Sequence, residues 1–209
     1  MQGLSSRYDK TLILIVSSLS VAGYLYLGYF IPRYHTFELI SAYVALFACY
    51  LILYFYLNRR EGGVWIVLAV LFRLVLLFSL PALSDDFYRF SWDGRLLSAG
   101  FNPYVHVPDF YMDSQLAIPG IDISLYKNLN FTAYHSMYPP VAQFTGWLGA
   151  LLASNSIFWG VFIQRLFILL AEIGSILIMR KLAASLNIKS GQVILYALNP
   201  LVILELTGN

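Results

Sequence analysis

Residues 84–104 read SDDFYRFSWDGRLLSAGFNPY, and no other stretch of the sequence is so dense in charge. Asp85 and Asp86 directly follow an apolar run, and Arg89, Asp93 and Arg95 come within the next nine residues. Long apolar runs lie on both sides of this stretch. It therefore marks the point where the chain leaves an apolar environment, and the rest of the organisation can be worked out from it.

The composition is that of a membrane protein. Of the 209 residues, 59% are hydrophobic and 11% charged, and the mean hydropathy is +0.70. Soluble domains carry about 25% charged residues. A net charge of +2 without a basic cluster gives no support for nucleic acid as a partner. The single cysteine, Cys49, excludes a disulfide within the chain.

The apolar runs predict an all-α membrane protein with about five transmembrane helices and a large external loop containing surface-lying helices. A spanning helix needs about 20 apolar residues. The run 141–153 has only 13, so we interpret it as an interfacial helix. We expect three transmembrane helices in residues 1–83, a loop with the acidic motif in 84–155, and two further spans in 156–209. The predicted spans are 11–31, 37–57, 63–83, 156–179 and 192–206.

The distribution of basic residues predicts the orientation, because cytoplasmic loops are rich in Lys and Arg. With the N-terminus in the cytoplasm and 141–153 at the surface, seven basic residues lie inside and four outside. The acidic loop then lies on the outer face. The residues expected inside are Arg7, Lys10, Arg59, Arg60, Arg180, Lys181 and Lys189.

The acidic stretch predicts a helix that begins after Ser84 as N-cap and ends at Gly100. Two explanations of Asp85 and Asp86 stay open at this point. Acids in a first turn favour the helix dipole and can belong to a solvated face. Alternatively, because the two side chains diverge by about 100°, one can pair with Arg89 while the other faces a cavity.

Charges inside the predicted spans are costly, so we expect them to face a cavity or each other. They include Arg73, Arg165, Glu172 and Glu205. Arg73 contacts a lipid phosphate only if a cavity reaches its depth. The three histidines show no metal-ligand spacing. We assign no metal ligand and no certain cofactor, and a divalent cation bound partly by the acids is left open.

Three motifs together resemble bacterial membrane glycosyltransferases of the GT-C superfamily. They are LSDDFYRFSWDGRLLSAGFNPY at 83–104, MYPPVAQ at 137–143 and ALNPLVILELTGN at 197–209. The chain is most similar to polyprenol-phosphate-mannose-dependent mannosyltransferases and more distantly to GPI mannosyltransferases. Related chains continue beyond the third motif, so we expect this one to be a fragment or a reduced version.

The resemblance implies a hexosyltransferase in the plasma or inner membrane. Its donor would be a polyprenyl-phosphate sugar, and its acceptor a glycan or glycolipid at the outer, lipid-bounded face. Asp85 or Asp86 would be the general base of an inverting transfer. The residues expected to bind the donor phosphate or the substrates are Arg89, Asp93, Arg95, Tyr104, Tyr138 and Arg73.

Two other functions stay open from the sequence. A transporter or flippase for lipid-linked sugars would explain the charges within the spans, and predicts broken helices and internal repeats. The sequence contains no visible repeat. A non-catalytic membrane subunit would use the Asp/Arg cluster as a docking surface.

Overall fold

The computed structural model describes residues 2–58, 63–114, 116–153 and 156–208. Arg59 and Arg60, which we expect in the cytoplasm, lie outside the described residues. Within these ranges the regular structure is helical and contains no strand, which confirms an all-α protein. The helices are α1 (Gln2–Tyr29), α2 (Thr36–Leu57), α3 (Val64–Leu76), α4 (Asp86–Ser98), α5 (Pro108–Asp113), α6 (Ile123–Lys127), α7 (Pro140–Ala153), α8 (Ile157–Ser185), α9 (Ile194–Ala197) and α10 (Pro200–Ile203).

Three helices are long and apolar enough to cross a membrane. They are the segment Asp9–Tyr29 of α1, together with α2 and α8, which have 21, 22 and 29 residues. At about 1.5 Å per residue each exceeds the roughly 30 Å of a hydrocarbon layer. The structure therefore agrees with the predicted class of multi-pass membrane protein.

The predicted span over residues 63–83 is shorter than expected. Only Val64–Leu76 is helical, which gives 13 residues and about 20 Å. The N–H groups of Leu77 and Ser79 donate to the carbonyls of Leu74 and Leu76, three residues back. This tighter pattern ends the helix, and Pro81 has no N–H with which to continue the helical hydrogen bonds.

The last predicted span is bent. Ser190–Ala197 and Pro200–Gly208 are two helical pieces at 55° to one another. Asn199, before Pro200, has an extended ψ of 122°, as residues before proline prefer, and its Oδ1 accepts the N–H of Leu201 at 3.0 Å. The described residues thus contain three candidate spans, or four if the bent pair is one, where the sequence predicted about five.

The chain divides into two compact units. The first contains Met1–Leu83 and Ile168–Asn209, and the second contains Ser84–Phe167. The core of the first is aliphatic and aromatic, with Phe72 and Leu76 almost fully buried. The second has a smaller core built around Trp92 and Leu96 of α4. The two units are described separately below.

Helix α4 ends as the sequence predicts. Gly100 has a φ of +82°, which glycine adopts without the steric cost of a Cβ atom. Its N–H donates to Leu97, and the N–H of Phe101 donates to Leu96. This pair of bonds is a Schellman motif. Gly100 is therefore confirmed as the stop of the helix that carries the acidic cluster.

Candidate functional site

The helix with the acidic cluster begins one residue later than predicted. Its N-cap is Asp85, not Ser84, and the Asp85 side chain makes no capping hydrogen bond. The hydroxyl of Ser84 accepts the N–H of Asp86 at 3.2 Å. An aspartate at an N-cap usually accepts a backbone N–H of the first turn. A capping hydrogen bond is therefore not the reason for an aspartate at position 85.

Asp85 and Asp86 line a small cleft in the second unit. Both are half-buried. The cleft has a volume of about 50 Å³, well below the roughly 300 Å³ of a small ligand pocket. A hydroxyl group or a phosphate oxygen fits it, and a whole sugar ring would remain at its rim. The other lining residues are Arg89, Leu129, Asn130, Phe131, Tyr134, His135, Ser136, Met137 and Tyr138.

The ion pair of Arg89 is formed with Asp93, one turn further along α4. Nε of Arg89 lies 2.9 Å from Oδ1 of Asp93. Arg89 thus pairs with Asp93, four residues away on the same helix face, and not with Asp85 or Asp86. Nη1 of Arg89 donates to the carbonyls of Phe131 at 3.3 Å and Tyr134 at 3.1 Å. Arg89 thus joins α4 to the opposite wall of the cleft.

Asp93 is fully buried, with 0% of its surface exposed. Its Oδ2 accepts hydrogen bonds from Ser136 at 2.5 Å and from Nε2 of Gln143 at 2.9 Å. Nε2 of Gln143 also donates to the Ser136 hydroxyl at 2.7 Å. With Arg89 on its other oxygen, Asp93 has three protein partners. Both carboxylate oxygens of Asp93 are therefore engaged by protein groups.

Ser136 and Gln143 were not among the residues singled out from the sequence. The available signal was Gln143 itself, an amide within the apolar run 141–153. A polar side chain in such a run is usually buried with a partner. Ser136, in contrast, carries no pattern that distinguishes it from an ordinary loop serine.

Tyr138 lines the cleft, and Tyr104, which is not among the lining residues, contacts Tyr138. The Tyr138 ring packs edge-on against Phe90, with centroids 4.5 Å apart. Tyr104 donates its hydroxyl to the Tyr138 carbonyl at 2.5 Å. Burial raises the pKa of Tyr138 to about 12, and the charge of Asp86 and a hydrogen bond with it add to the rise. Tyr138 is therefore a neutral hydrogen-bond donor at physiological pH.

Arg95 lies away from the cleft. It is nine residues after Asp86, which places it half a turn around α4. Its side chain is buried, and Nη1 donates to the carbonyl of Gly120. Burial lowers the pKa of Arg95, and the charge of Asp122 opposes this shift. The structure therefore does not bring Arg95 and the two acids of the cleft together.

Arg73 belongs to the first unit, where it forms a buried ion pair with Glu172. Nη2 of Arg73 lies 3.0 Å from Oε2 of Glu172, and Nη1 donates to the carbonyls of Ala69 and Ala197. Glu172 also accepts the hydroxyl of Tyr196 at 2.7 Å. The expectation that charges within the spans pair with each other is confirmed for these two residues. Arg73 is occupied by protein partners instead of being placed for a phosphate.

Helices α4 and α7 cross with their backbones in contact. A Cβ atom added at Gly94 would lie 2.2 Å from the carbonyl oxygen of Gly146. One added at Gly146 would lie 2.7 Å from the carbonyl oxygen of Phe90. Small residues permit such close approach of helices. This crossing carries Gln143 of α7 to Asp93 of α4.

A metal site is not formed by the part of the chain that the structure describes. No group of three or more His, Cys, Asp or Glu residues there is arranged to hold a metal ion. Asp85 and Asp86 alone are too few ligands for a divalent cation without a bound substrate.

A family model described as alpha-(1->6)-mannopyranosyltransferase, N-terminal domain, of the MptA_B family, matches residues 24–209. The match includes the acidic stretch, the cleft and the bent helix pair. No curated protein and no solved structure matches the chain significantly.

Proposed function

The chain belongs to the alpha-(1->6)-mannopyranosyltransferase family, and from this premise we propose that it transfers mannose from a polyprenyl-phosphate donor to a glycan or lipid-linked acceptor. The family match supports a glycosyltransferase. The long apolar helices support a membrane protein. The single observation that carries the finer proposal is the cleft in which two carboxylates and an arginine lie together.

Asp85 or Asp86 acts as the general base. The carboxylate accepts the proton of an acceptor hydroxyl while the oxygen attacks the anomeric carbon of the donor. The bond from that carbon to the phosphate oxygen breaks, and the polyprenyl phosphate leaves with the electron pair. Tyr138 supports this role, because it lines the same cleft as Asp86 and its neutral hydroxyl is a hydrogen-bond donor beside that carboxylate.

Arg89 stabilises the leaving phosphate. Its hydrogen bonds with described residues use Nε and Nη1, so Nη2 is the nitrogen offered to a ligand in the cleft. A fixed guanidinium beside developing negative charge lowers the barrier of such a step. Asp93 holds Arg89 in place and does not itself touch substrate. Arg95 and Arg73 stabilise the fold.

The lipid-linked donor requires the site to lie at a membrane boundary. The three apolar runs before Ser84 and the excess of basic residues on one side support an external site with the N-terminus in the cytoplasm. The interfacial interpretation of run 141–153 fits α7, whose 14 residues span about 21 Å. In this orientation we propose that the cleft lies at the outer surface of the plasma or inner membrane.

Transport and a non-catalytic role are less well supported. The bent pair Ser190–Ala197 and Pro200–Gly208 is the broken helix that a transporter would show. The sequence contains no repeat to accompany it, and the family is one of transferases.

The test is mannosyl transfer in membranes that contain the full natural chain and radiolabelled polyprenyl-phosphate mannose. We expect the single variants Asp85→Asn and Asp86→Asn to identify the base by a loss of at least about 100-fold, and the double variant to be inactive. Asp113→Asn, an exposed acid at the end of α5, is the matched control and should retain activity. Transfer that survives in the double variant would refute the assignment of the base.

A further inference from the structure

Two aromatic side chains stand exposed at the rim of the cleft. Phe131 is 67% exposed and Tyr134 is 62% exposed. Their rings meet edge to face, with centroids 5.8 Å apart and planes at 88°. Exposed aromatic surface beside a polar cleft is typical of a binding site, because covering it with a ligand is favourable.

The two residues are held in position by the charged cluster. Arg89 donates from Nη1 to the backbone carbonyls of both Phe131 and Tyr134, and its Nε is fixed by the buried Asp93. Hydrogen bonds from a charged donor are about twice as strong as neutral ones. The backbone that carries the two rings is therefore fixed to α4 at the cleft wall.

The acids of the cleft decide which ligand fits. Asp85 and Asp86 line the same cleft as the two rings. Carboxylates accept hydrogen bonds from the hydroxyl groups of a ligand. A pyranose ring presents a face of C–H groups, which packs on an aromatic ring, and hydroxyl groups at its edge. It therefore matches both parts of this surface.

We propose that Phe131 and Tyr134 form a platform that binds the terminal sugar ring of the acceptor and directs one of its hydroxyl groups to Asp85 and Asp86. The inference rests on the proposed function, since it assigns the acceptor side of the same site. The cleft of about 50 Å³ admits the reacting hydroxyl, while the ring lies on the platform outside it.

The test measures binding of methyl α-D-mannopyranoside to the full chain in lipid nanodiscs by saturation-transfer NMR, without any donor. We expect Phe131→Leu and Tyr134→Leu to weaken binding about tenfold, since an aromatic contact contributes up to about that factor. Phe131→Trp and Tyr134→Phe should retain binding, because they keep a ring. Phe110→Leu, an exposed aromatic that does not line the cleft, is the matched control.

The leucine variants separate stacking from general apolar contact. If leucine serves as well as phenylalanine or tyrosine, the rings face lipid and the platform is refuted. An equal loss in Phe110→Leu would refute it as well. If binding depends on the two rings but the protein transfers no mannose, the platform is supported and the proposed function is not. Failure of the platform and failure of the proposed function can therefore be distinguished.

Discussion

Gln143 donates from Nε2 to Oδ2 of Asp93 over 2.9 Å, although fifty residues separate them in the sequence. Asp93 has no exposed surface, so this bond has no water to replace it. The contact fixes α7 against α4 and closes the base of the cluster that positions Arg89.

Replacing Gln143 should therefore destabilise the fold. Gln143→Leu leaves one acceptor site of the buried carboxylate unfilled, and we expect a loss of about 2 kcal/mol in the free energy of unfolding. Gln143→Glu places a second carboxylate beside Asp93 and should cost more. Denaturant titration in detergent micelles measures both. A glutamate variant more stable than the leucine variant would contradict the described network.

The buried pair in the first unit gives a second prediction. Glu172→Gln leaves the charge of Arg73 uncompensated, and removing one partner of a buried pair costs about 3–5 kcal/mol. Arg73 and Glu172 have side chains 0% and 9% exposed, so solvent screens the pair little. The double variant Arg73→Met/Glu172→Leu should recover much of this loss in thermal unfolding. If the double variant is no better than the single one, the pair is not the source of the effect.

The helix crossing gives a third prediction. Gly94→Ala drives a Cβ atom to 2.2 Å from the backbone oxygen of Gly146, so the helices must separate. Overpacking of this kind costs about 1–3 kcal/mol. Gly174→Ala is the matched control, since a Cβ atom there meets nothing within 4 Å. The midpoint of thermal unfolding should fall for the first variant and stay unchanged or rise for the second.

Tyr138 gives a prediction for alkaline pH. The folded-state pKa of about 12 exceeds the ordinary value of 10.0. Below pH 10 the hydroxyl is protonated in both the folded and the unfolded chain, and its contribution to stability is fully present. Between pH 10 and 12 the unfolded chain loses the proton while the folded chain keeps it, so stability falls as pH rises.

Unfolding measured from pH 9 to 12 tests this prediction. Wild type should lose more stability over this range than Tyr138→Phe, which lacks the titrating group. Tyr134→Phe, an exposed tyrosine of the same loop, is the control and should follow the wild-type curve. Identical curves for wild type and Tyr138→Phe would show that Tyr138 titrates normally.

Local patterns in the sequence predicted the local structure well. Apolar length predicted α1, α2 and α8, and Gly100 predicted the end of α4, because both features act within one helix. Three short motifs predicted the mannosyltransferase family, which the family match confirms.

Contacts between distant segments could not be predicted in the same way. Helical spacing offered Arg89 three carboxylates within reach, and only the side-chain direction selected Asp93. Spacing along α4 gave no sign that Ser136 and Gln143 would fill the other oxygen of Asp93. The third span was likewise predicted to continue to residue 83, because the residues after Leu76 are apolar. Hydropathy does not detect the backbone turn that ends the helix at Leu76.

The Arg73 contacts bear on how the protein is assembled in its membrane. A central arginine adds about 2.5–3.5 kcal/mol to the cost of inserting a helix, and α3 has only 13 residues to offset it. Two of the three groups that accept hydrogen bonds from Arg73 are synthesised much later: Glu172 follows by 99 residues and Ala197 by 124. The helix that contains Ala197 is interrupted before Pro200, so its carbonyl lacks a helical N–H donor. Arg73 donates to this carbonyl instead. We therefore expect α3 to be fully stabilised only after the C-terminal helices that carry Glu172 and Ala197 have been synthesised.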